Sequence, residues 1–217
     1  MNFYVVVEGE KGEKIVYEKW IKYVCPHLRR VDNINQVTNN NFIIFAGNGY
    51  PFYFDVITAA IGDVNANGQF DRLVVVVDSE EMSFDDKFSE ISTHVNLTPC
   101  RIPVHIIVQH FCLETWALAN RNVVTRNPQS PRLREYLSFF NVIDQDPELM
   151  PAFPPLNRSQ FAFRYIKSVL NEKYRNLTYS KSNPKVLLNR KYFDRVCRRH
   201  RETGHIPSFS HFLTAFV

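Results

Sequence analysis

Acidic side chains follow three of the predicted strands at the point where each strand ends. Glu8 comes directly after the β-rich run Phe3–Val7, and Asp78 and Glu80 follow four consecutive valines. Glu114 comes shortly after the apolar run at 104–108. Because parallel strands deliver their carboxyl ends to one edge of a sheet, we expect these acids to lie close together. Carboxylate oxygens are hard ligands that suit Mg²⁺ or Mn²⁺, so the pattern predicts a divalent-metal site.

Each acid also has an ordinary structural explanation. A lone carboxylate after a strand is usually a loop residue or a helix cap, and Glu114 is equally well explained as an acid in the first turn of a helix. Alternation along an extended 78–80 segment would place Asp78 and Glu80 on the same side. His110 is interpreted as a loop histidine outside the site, and Trp116 as a core residue. The agreement of three strand ends is what favours a site.

The predicted elements alternate between strand and helix over the first half of the chain. The valine run before Asp78 is continuous rather than alternating, which is typical of a strand buried on both faces. The order predicts an α/β fold with a four-stranded parallel sheet flanked by helices, and a loop at 29–41. After Asn120 the pattern is helical, with helices at 158–175 and 186–200. We expect an α/β core at 1–122 and a basic helical subdomain at 123–217.

The net charge of +4 conceals an asymmetry along the chain. Residues 1–120 carry 9 Lys and Arg against 15 Asp and Glu, whereas residues 121–217 carry 17 against 7. An acidic half joined to a basic half suits a protein that processes a polyanion. A basic set at helical spacing is expected to track a nucleic-acid backbone, although a solvated basic face explains it equally well: Arg190, Lys191, Arg195, Arg198 and Arg199.

Composition and motifs argue against several other classes of protein. The four cysteines are far apart and form no C-x-x-C pair, which argues against a zinc site and for a reducing, cytoplasmic setting. No run approaches 18 apolar residues, so no membrane association is expected. The sequence holds no Asp-x-Asp-x-Thr motif and no glycine-rich phosphate loop, which weakens a phosphatase or phosphotransferase interpretation.

Two of the strand ends resemble a known pattern. Val5-Val-Val-Glu8-Gly9 and Val74-Val-Val-Val-Asp78-Ser-Glu80 resemble the Toprim domain, in which one strand ends in Glu-Gly and a later one in Asp-x-Asp. The likeness is greatest to the small RloB-like Toprim proteins of bacterial defence loci, which are related to the overcoming-lysogenisation-defect nucleases. Three further segments are similar to that group: Glu8-Gly-Glu-Lys-Gly-Glu13, Leu113-Glu-Thr-Trp-Ala-Leu118, and Tyr179-Ser-Lys181 with Ser208-Phe-Ser-His-Phe212.

The resemblance implies a Toprim/Rossmann-like sheet and roles for particular residues. Glu8 would be a metal ligand or general acid/base, and Asp78 and Glu80 would hold the metal. In the metal-assisted hydrolysis that this suggests, Glu114 and Lys181 would complete the catalytic set, with Lys181 reaching the scissile phosphate; an exposed loop lysine before Asn183-Pro184 explains Lys181 equally well. Two positions depart from the pattern: Glu80 stands where Asp is usual, so that Glu81 competes for the role, and Gly12 replaces Thr.

The resemblance further implies a function. It predicts an Mg²⁺-dependent (or Mn²⁺-dependent) endonuclease that hydrolyses DNA or RNA in antiviral defence. It also implies an ABC-type ATPase partner, and a homo-oligomer is a further expectation. The alternative is a degenerate Toprim-like module that binds or acts as an adaptor in a defence complex, which the Glu80 and Gly12 departures favour slightly. A topoisomerase or primase would need further domains.

Overall fold

The computed structural model of the protein describes residues 1–174 and 179–217. It has an α/β fold whose five-stranded, all-parallel sheet is flanked by helices, in the order β2-β3-β1-β4-β5. The sheet has one strand more than the sequence predicts, because Arg29–Arg30 pairs with β3 inside the predicted loop at 29–41. The strands are β1 Phe3–Val7, β2 Arg29–Arg30, β3 Asn41–Ala46, β4 Arg72–Asp78 and β5 Val104–Gln109.

Eight α-helices are present in the described residues, and the two predicted at 158–175 and 186–200 are both found with different ends. The predicted helix at 158–175 ends at Lys173, and Arg175 lies outside the described residues. The predicted helix at 186–200 begins only at Arg190, after the cap Asn189. The helices are α1 Gly12–Val24, α2 Tyr53–Asn67, α3 Phe84–Val95, α4 Leu113–Leu118, α5 Pro131–Phe139, α6 Arg158–Lys173, α7 Arg190–Thr203 and α8 Phe209–Ala215. Within these residues, no helix has the length and apolar character needed to cross a membrane.

The valine strand is buried on both faces, as its unbroken apolar run predicts. Leu73 to Val77 are each at most 1% exposed. Alternate side chains point to opposite faces of the sheet, and Leu73, Val75 and Val77 join a core with residues of α2 and α3. β1 lies beside β4 in parallel register, with Val7 opposite Val76. Both strands therefore end at the same edge of the sheet, and Glu8 is the first residue after β1.

The described chain falls into two compact units. The first holds nearly all of the sheet, and the second holds the four helices α4 to α7. The chain passes between them several times, whereas the division expected from the sequence is contiguous, with a boundary at 122. That division stays a prediction. The first unit comprises 1–77, 83–108 and 211–217, and the second comprises 78–82 and 109–210.

The second unit is organised around a cluster of aromatic rings on α5 and α6. Tyr136 packs edge-on against Phe161, and Phe161 stacks on Tyr165. The Tyr165 hydroxyl donates 2.8 Å to the carbonyl of Phe140, so the ring is fixed at both ends. Ser130 caps the start of α5 by accepting from the backbone N–H of Leu133. These contacts give the helical unit a core of its own.

Candidate active site

Glu8 lies in the first unit, where two glycine-containing loops meet. The amide of Gly47 donates 2.7 Å to the carbonyl of Val7, and the amide of Gly49 donates 3.0 Å to the carbonyl of Glu8. A Cβ at Gly47 would lie 2.5 Å from Cβ of Tyr53, so only glycine allows this approach. The backbone that carries Glu8 is therefore held by the loop that follows β3.

A buried lysine, Lys87, bonds to Tyr53 and Glu90, and the charge of Glu8 affects the pKa of the Tyr53 hydroxyl. Lys87 is 6% exposed and donates to the Tyr53 hydroxyl at 3.3 Å and to Glu90 at 2.6 Å. Burial raises the pKa of Tyr53 to about 12, Lys87 opposes this, and the charges on Glu90 and Glu8 add to it. Burial alone would lower the pKa of Lys87, but its bonds to Glu90 and Tyr53 raise it. The sequence gives no sign that this lysine is buried.

Asp78 belongs to the second unit and is held by a neighbouring amide. The side-chain nitrogen of Gln109 donates to Oδ1 of Asp78 at 2.7 Å. The next residue, Ser79, is fully buried, and its hydroxyl lies 2.9 Å from Nδ1 of His110. Burial lowers the pKa of His110, the positive charge of Arg158 adds to this, and Asp146 opposes it. Gln109 was missed from the sequence, although a polar residue that ends a buried strand is a usable signal.

Glu80 does not continue the strand. Its φ of +49° places it in the left-handed region, which is uncommon for residues other than glycine. The conformation is fixed because the Glu80 amide donates 2.9 Å to the carbonyl of Phe111 and the Met82 amide donates 2.9 Å to the carbonyl of Ser79. The expected alternation, which would place Asp78 and Glu80 on one side, therefore does not apply.

The carboxylate of Glu81, which could compete with Glu80 as a metal ligand, is hydrogen-bonded to Arg158. The backbone amide and Nε of Arg158 donate to the Glu81 carboxylate at 2.7 and 3.2 Å. Nη2 of Arg158 donates 2.7 Å to the Glu81 carbonyl, and Cζ of the guanidinium lies 4.3 Å from the centre of the Phe111 ring. Arg158 thus fixes the acidic turn at 79–82, a role that the sequence does not reveal.

The thiol of Cys112 is buried, and its pKa depends on three charged residues of the second unit. Burial raises the pKa of the Cys112 thiol well above its usual value, the charges of Glu114 and Asp78 add to this, and Lys181 opposes it. Lys181 is exposed, whereas Glu114 is 3% exposed.

Glu114 is bonded to a tyrosine from the Tyr-x-Lys segment. The Tyr179 hydroxyl donates to Oε1 of Glu114 at 2.9 Å, and both side chains are buried. Burial and the Glu114 charge raise the pKa of Tyr179 well above its usual value, so the phenol remains a donor. Two residues later the chain turns back, with the amide of Asn183 donating 2.9 Å to the carbonyl of Ser180. Lys181 lies inside this turn.

The predicted basic face of α7 is divided by the structure. Lys191 and Arg195 line an open pocket, and Arg198 is exposed. Arg190 instead pairs with Asp194 at 2.8 Å. Arg199 is not available to nucleic acid: it is 2% exposed and donates to the carbonyls of Val142 and Gln145, each at 2.6 Å. The prediction that all five basic residues face nucleic acid is therefore wrong for Arg199, because its guanidinium satisfies backbone carbonyls.

The acids of the described residues are not arranged as a ready-made cluster of ligands. Within 1–174 and 179–217, no group of three or more His, Cys, Asp or Glu side chains is placed to hold a metal ion. Mg²⁺ nevertheless is usually bound through only one or two carboxylates and several waters. The donor chemistry of Asp78 fits such an ion, because one of its oxygens is oriented by Gln109. Trp116 is fully buried, as expected for a core residue.

Comparisons of the chain with protein-family models, curated proteins and solved structures found no match. The Toprim resemblance therefore depends on the short motifs of the sequence.

Proposed function

We propose that this protein is a Toprim-type, metal-dependent endonuclease that hydrolyses phosphodiester bonds of DNA or RNA. The observation that supports the proposal is the position of Asp78 at the end of the buried valine strand, where the Gln109 amide donates to its Oδ1 at 2.7 Å. A carboxylate held in one orientation suits a reaction in which a divalent cation is bound and stabilises charge on a phosphate. The antiviral role, the ABC-type ATPase partner and the homo-oligomer are proposed on the resemblance alone.

In this proposal the resemblance assigns Mg²⁺ or Mn²⁺ to Asp78 and Glu80, and gives Glu8 as a further ligand or as the general acid/base. The positive φ of Glu80 means that its role does not follow from strand alternation with Asp78. When bound, the ion would polarise a phosphoryl oxygen and lower the pKa of a water molecule. Gln109 keeps the Asp78 carboxylate in one orientation. Glu8 follows the strand beside β4 and would accept or return a proton.

Lys181 would bind the scissile phosphate from the turn at 180–183. The hydrogen bond between Tyr179 and Glu114 anchors the start of that turn in the core of the unit. Anchoring matters because a lysine side chain is long and loses rotamer freedom when it is ordered on a ligand. Glu114 thus acts in this proposal as the group that positions Lys181, rather than as a ligand.

A binding or adaptor module with a degenerate site is the second candidate. The burial of Glu114 favours it, since a carboxylate that is 3% exposed and bonded to a tyrosine has a structural function. The ion pair between Arg158 and Glu81 also favours this candidate, because it gives the Glu81 carboxylate a structural partner. This candidate predicts nucleic-acid binding without cleavage.

The two candidates are separated by incubating the full chain with plasmid, linear DNA and tRNA, with Mg²⁺, Mn²⁺ or chelator. We expect cleavage that requires the metal and that Glu8→Gln and Asp78→Asn each reduce by 10²-fold or more, on the order of the loss for groups acting on transition-state charge. Glu135→Gln, an exposed acid on α5, is the matched control and should leave the rate unchanged. Metal-dependent cleavage that survives both substitutions would remove the site assignment, and binding without cleavage would favour the adaptor.

A further inference from the structure

Three adjoining pockets on the second unit are lined by cations. Their volumes are about 430, 280 and 360 Å³, within or close to the usual size range for small-ligand sites. All three are open to solvent and are lined by residues of the helical unit. We call this surface the basic groove, and its cations are Lys185, Lys191 and Arg195 in the first pocket, Arg121 and Arg126 in the second, and Arg126 and Arg134 in the third.

Shared residues make the three pockets one surface. Asn122 lines both the first and the second pocket, and Arg126 lines both the second and the third. Arg195 also donates to Oδ1 of Asn122 at 3.3 Å, which ties α7 to the segment that separates the first two pockets. A ligand longer than one pocket can therefore remain in contact with cations along the whole groove.

The charge of the groove selects a polyanion. Six Lys and Arg side chains line the three pockets, and among the described lining residues Asp144 is the one acid. Arg126 and Lys191 are exposed and lie at different places along the groove. Successive cations along an open groove match the regular spacing of phosphates on a nucleic-acid backbone, and binding releases condensed counterions.

The remaining lining residues distinguish single strands from duplexes. Exposed side-chain amides lie in the first and third pockets, among them Asn189, Asn127 and Gln129. Amides can pair with the Watson–Crick edges of bases only where those bases are unpaired. Tyr174 lines the first pocket and is 38% exposed, which offers a ring on which a base can stack.

We propose that the basic groove binds single-stranded nucleic acid, with its phosphates on the arginines and lysines and its unpaired bases against the amides and Tyr174. The proposal takes its ligand class from the proposed nuclease function and goes beyond it by naming the surface and the strandedness of the substrate. Only Lys191 and Arg195 of the basic helix belong to this surface. The larger part of it lies in the segment 121–134.

The proposal is tested by fluorescence anisotropy on the full chain carrying Asp78→Asn, in chelator, so that binding is measured without cleavage. The probes are a labelled mixed-sequence RNA oligonucleotide, its DNA counterpart, and each annealed to its complement. We expect both single strands to bind at least tenfold more tightly than the duplexes. A preference for RNA over DNA would identify the sugar that the groove accepts and leaves the proposal standing.

The variant Arg126→Ala/Lys191→Ala/Arg195→Ala removes one or more cations from every pocket. It should lose at least about tenfold in affinity, and the slope of log K against log salt should become shallower by roughly 2, at about 0.7 per lost phosphate contact. Arg132→Ala/Arg164→Ala/Lys167→Ala, which removes the same charge from outside the groove, should bind as before. The single variant Arg126→Glu serves the same purpose if the triple variant does not fold, which circular dichroism would show.

Equal binding by the groove and control variants, equal binding of single strands and duplexes, or equal competition by polyglutamate would each overturn the proposal. Binding in the groove without any metal-dependent cleavage by the unsubstituted chain would remove the nuclease function and keep the groove. Metal-dependent cleavage that is unaffected by the groove variant would keep the nuclease function and remove the groove proposal.

Discussion

Tyr179 donates a 2.9 Å hydrogen bond to Glu114, and both side chains are almost wholly buried. The bond joins the first turn of α4 to the segment that carries Lys181. A buried carboxylate is costly unless its oxygens are hydrogen-bonded. This pair therefore has two effects: it satisfies Glu114, and it fixes where the turn at 180–183 begins.

Tyr179→Phe is expected to destabilise the fold by about 1–3 kcal/mol, because Glu114 stays buried and loses this donor. Urea denaturation measures the change. Tyr174→Phe is the matched control, since that ring is exposed, and it should change the stability by less than about 0.5 kcal/mol. A double-mutant cycle with Glu114→Gln should give a coupling energy above about 0.5 kcal/mol; additive effects would show that the bond is not formed in solution.

Under the proposed nuclease function, Gln109→Leu is expected to reduce metal-dependent cleavage by about tenfold or more while changing the stability by no more than about 1–2 kcal/mol. The reason is that Asp78 loses the amide that orients its Oδ1, and outer partners of ligating groups typically contribute 10–100-fold to metal affinity or activity. The measurement is the cleavage rate as a function of Mg²⁺ concentration. A rate that recovers fully at high Mg²⁺ would assign the effect to metal affinity, and an unchanged curve would contradict the role of Gln109.

Arg158→Ala tests whether the acidic turn must be held in place. The exposed ion pair with Glu81 contributes at most about 1 kcal/mol to stability, and the contact with Phe111 adds a similar amount at most. We expect a small loss of stability but a clear loss of cleavage, because the turn at 79–82 loses two of its anchors. Arg164→Ala on the same helix is the control. A loss of stability in proportion to the loss of activity would contradict a role for the turn in catalysis.

The sheet could be predicted because its signals are local. The valine strand is buried on both faces and forces a covered sheet, and Phe3–Val7 pairs beside it in parallel register as the strand–helix alternation requires. The two-residue strand Arg29–Arg30 was missed, because so short a polar segment has no periodicity and its pairing with β3 comes from tertiary contact.

The site was only partly predictable, for a physical reason. The acids could be found as strand-end residues, but the groups that orient them come from distant parts of the sequence: Gln109 lies 31 residues from Asp78, and Arg158 lies 77 residues from Glu81. Backbone conformation was also decisive at Glu80, whose positive φ breaks the alternation that the sequence implied. At Arg199 the charge pattern was misleading, since burial decides whether a guanidinium meets solvent or a carbonyl.

Glu148 predicts a measurable dependence of stability on pH. Its carboxylate is buried and accepts hydrogen bonds from Trp116 at 3.1 Å and from the hydroxyl and amide of Ser208. Burial raises the pKa of Glu148 to about 7, the Ser208 and Trp116 bonds work against this, and Asp146 adds to it. In the unfolded chain the carboxyl returns to an ordinary value near 4.5.

The sign follows from proton binding. Between pH 4.5 and 7 the folded state holds a proton on Glu148 that the unfolded state has lost, so this contribution to stability is fully present below about pH 4.5 and disappears as the pH rises through 7. Its size is at most about 3 kcal/mol, at 1.36 kcal/mol for each unit of pKa difference.

Glu148→Gln should remove this dependence, because the amide does not titrate in this range. Urea denaturation at pH 5, 6, 7 and 8 should show that the stability of the parent chain relative to the variant falls between pH 5 and 7 and levels off towards pH 8. Glu135→Gln, whose carboxylate is exposed, should leave the pH profile of the parent unchanged. A constant difference between the parent and Glu148→Gln at all four pH values would mean that Glu148 is ionised throughout, and that Trp116 and Ser208 stabilise its charge more strongly than burial opposes it.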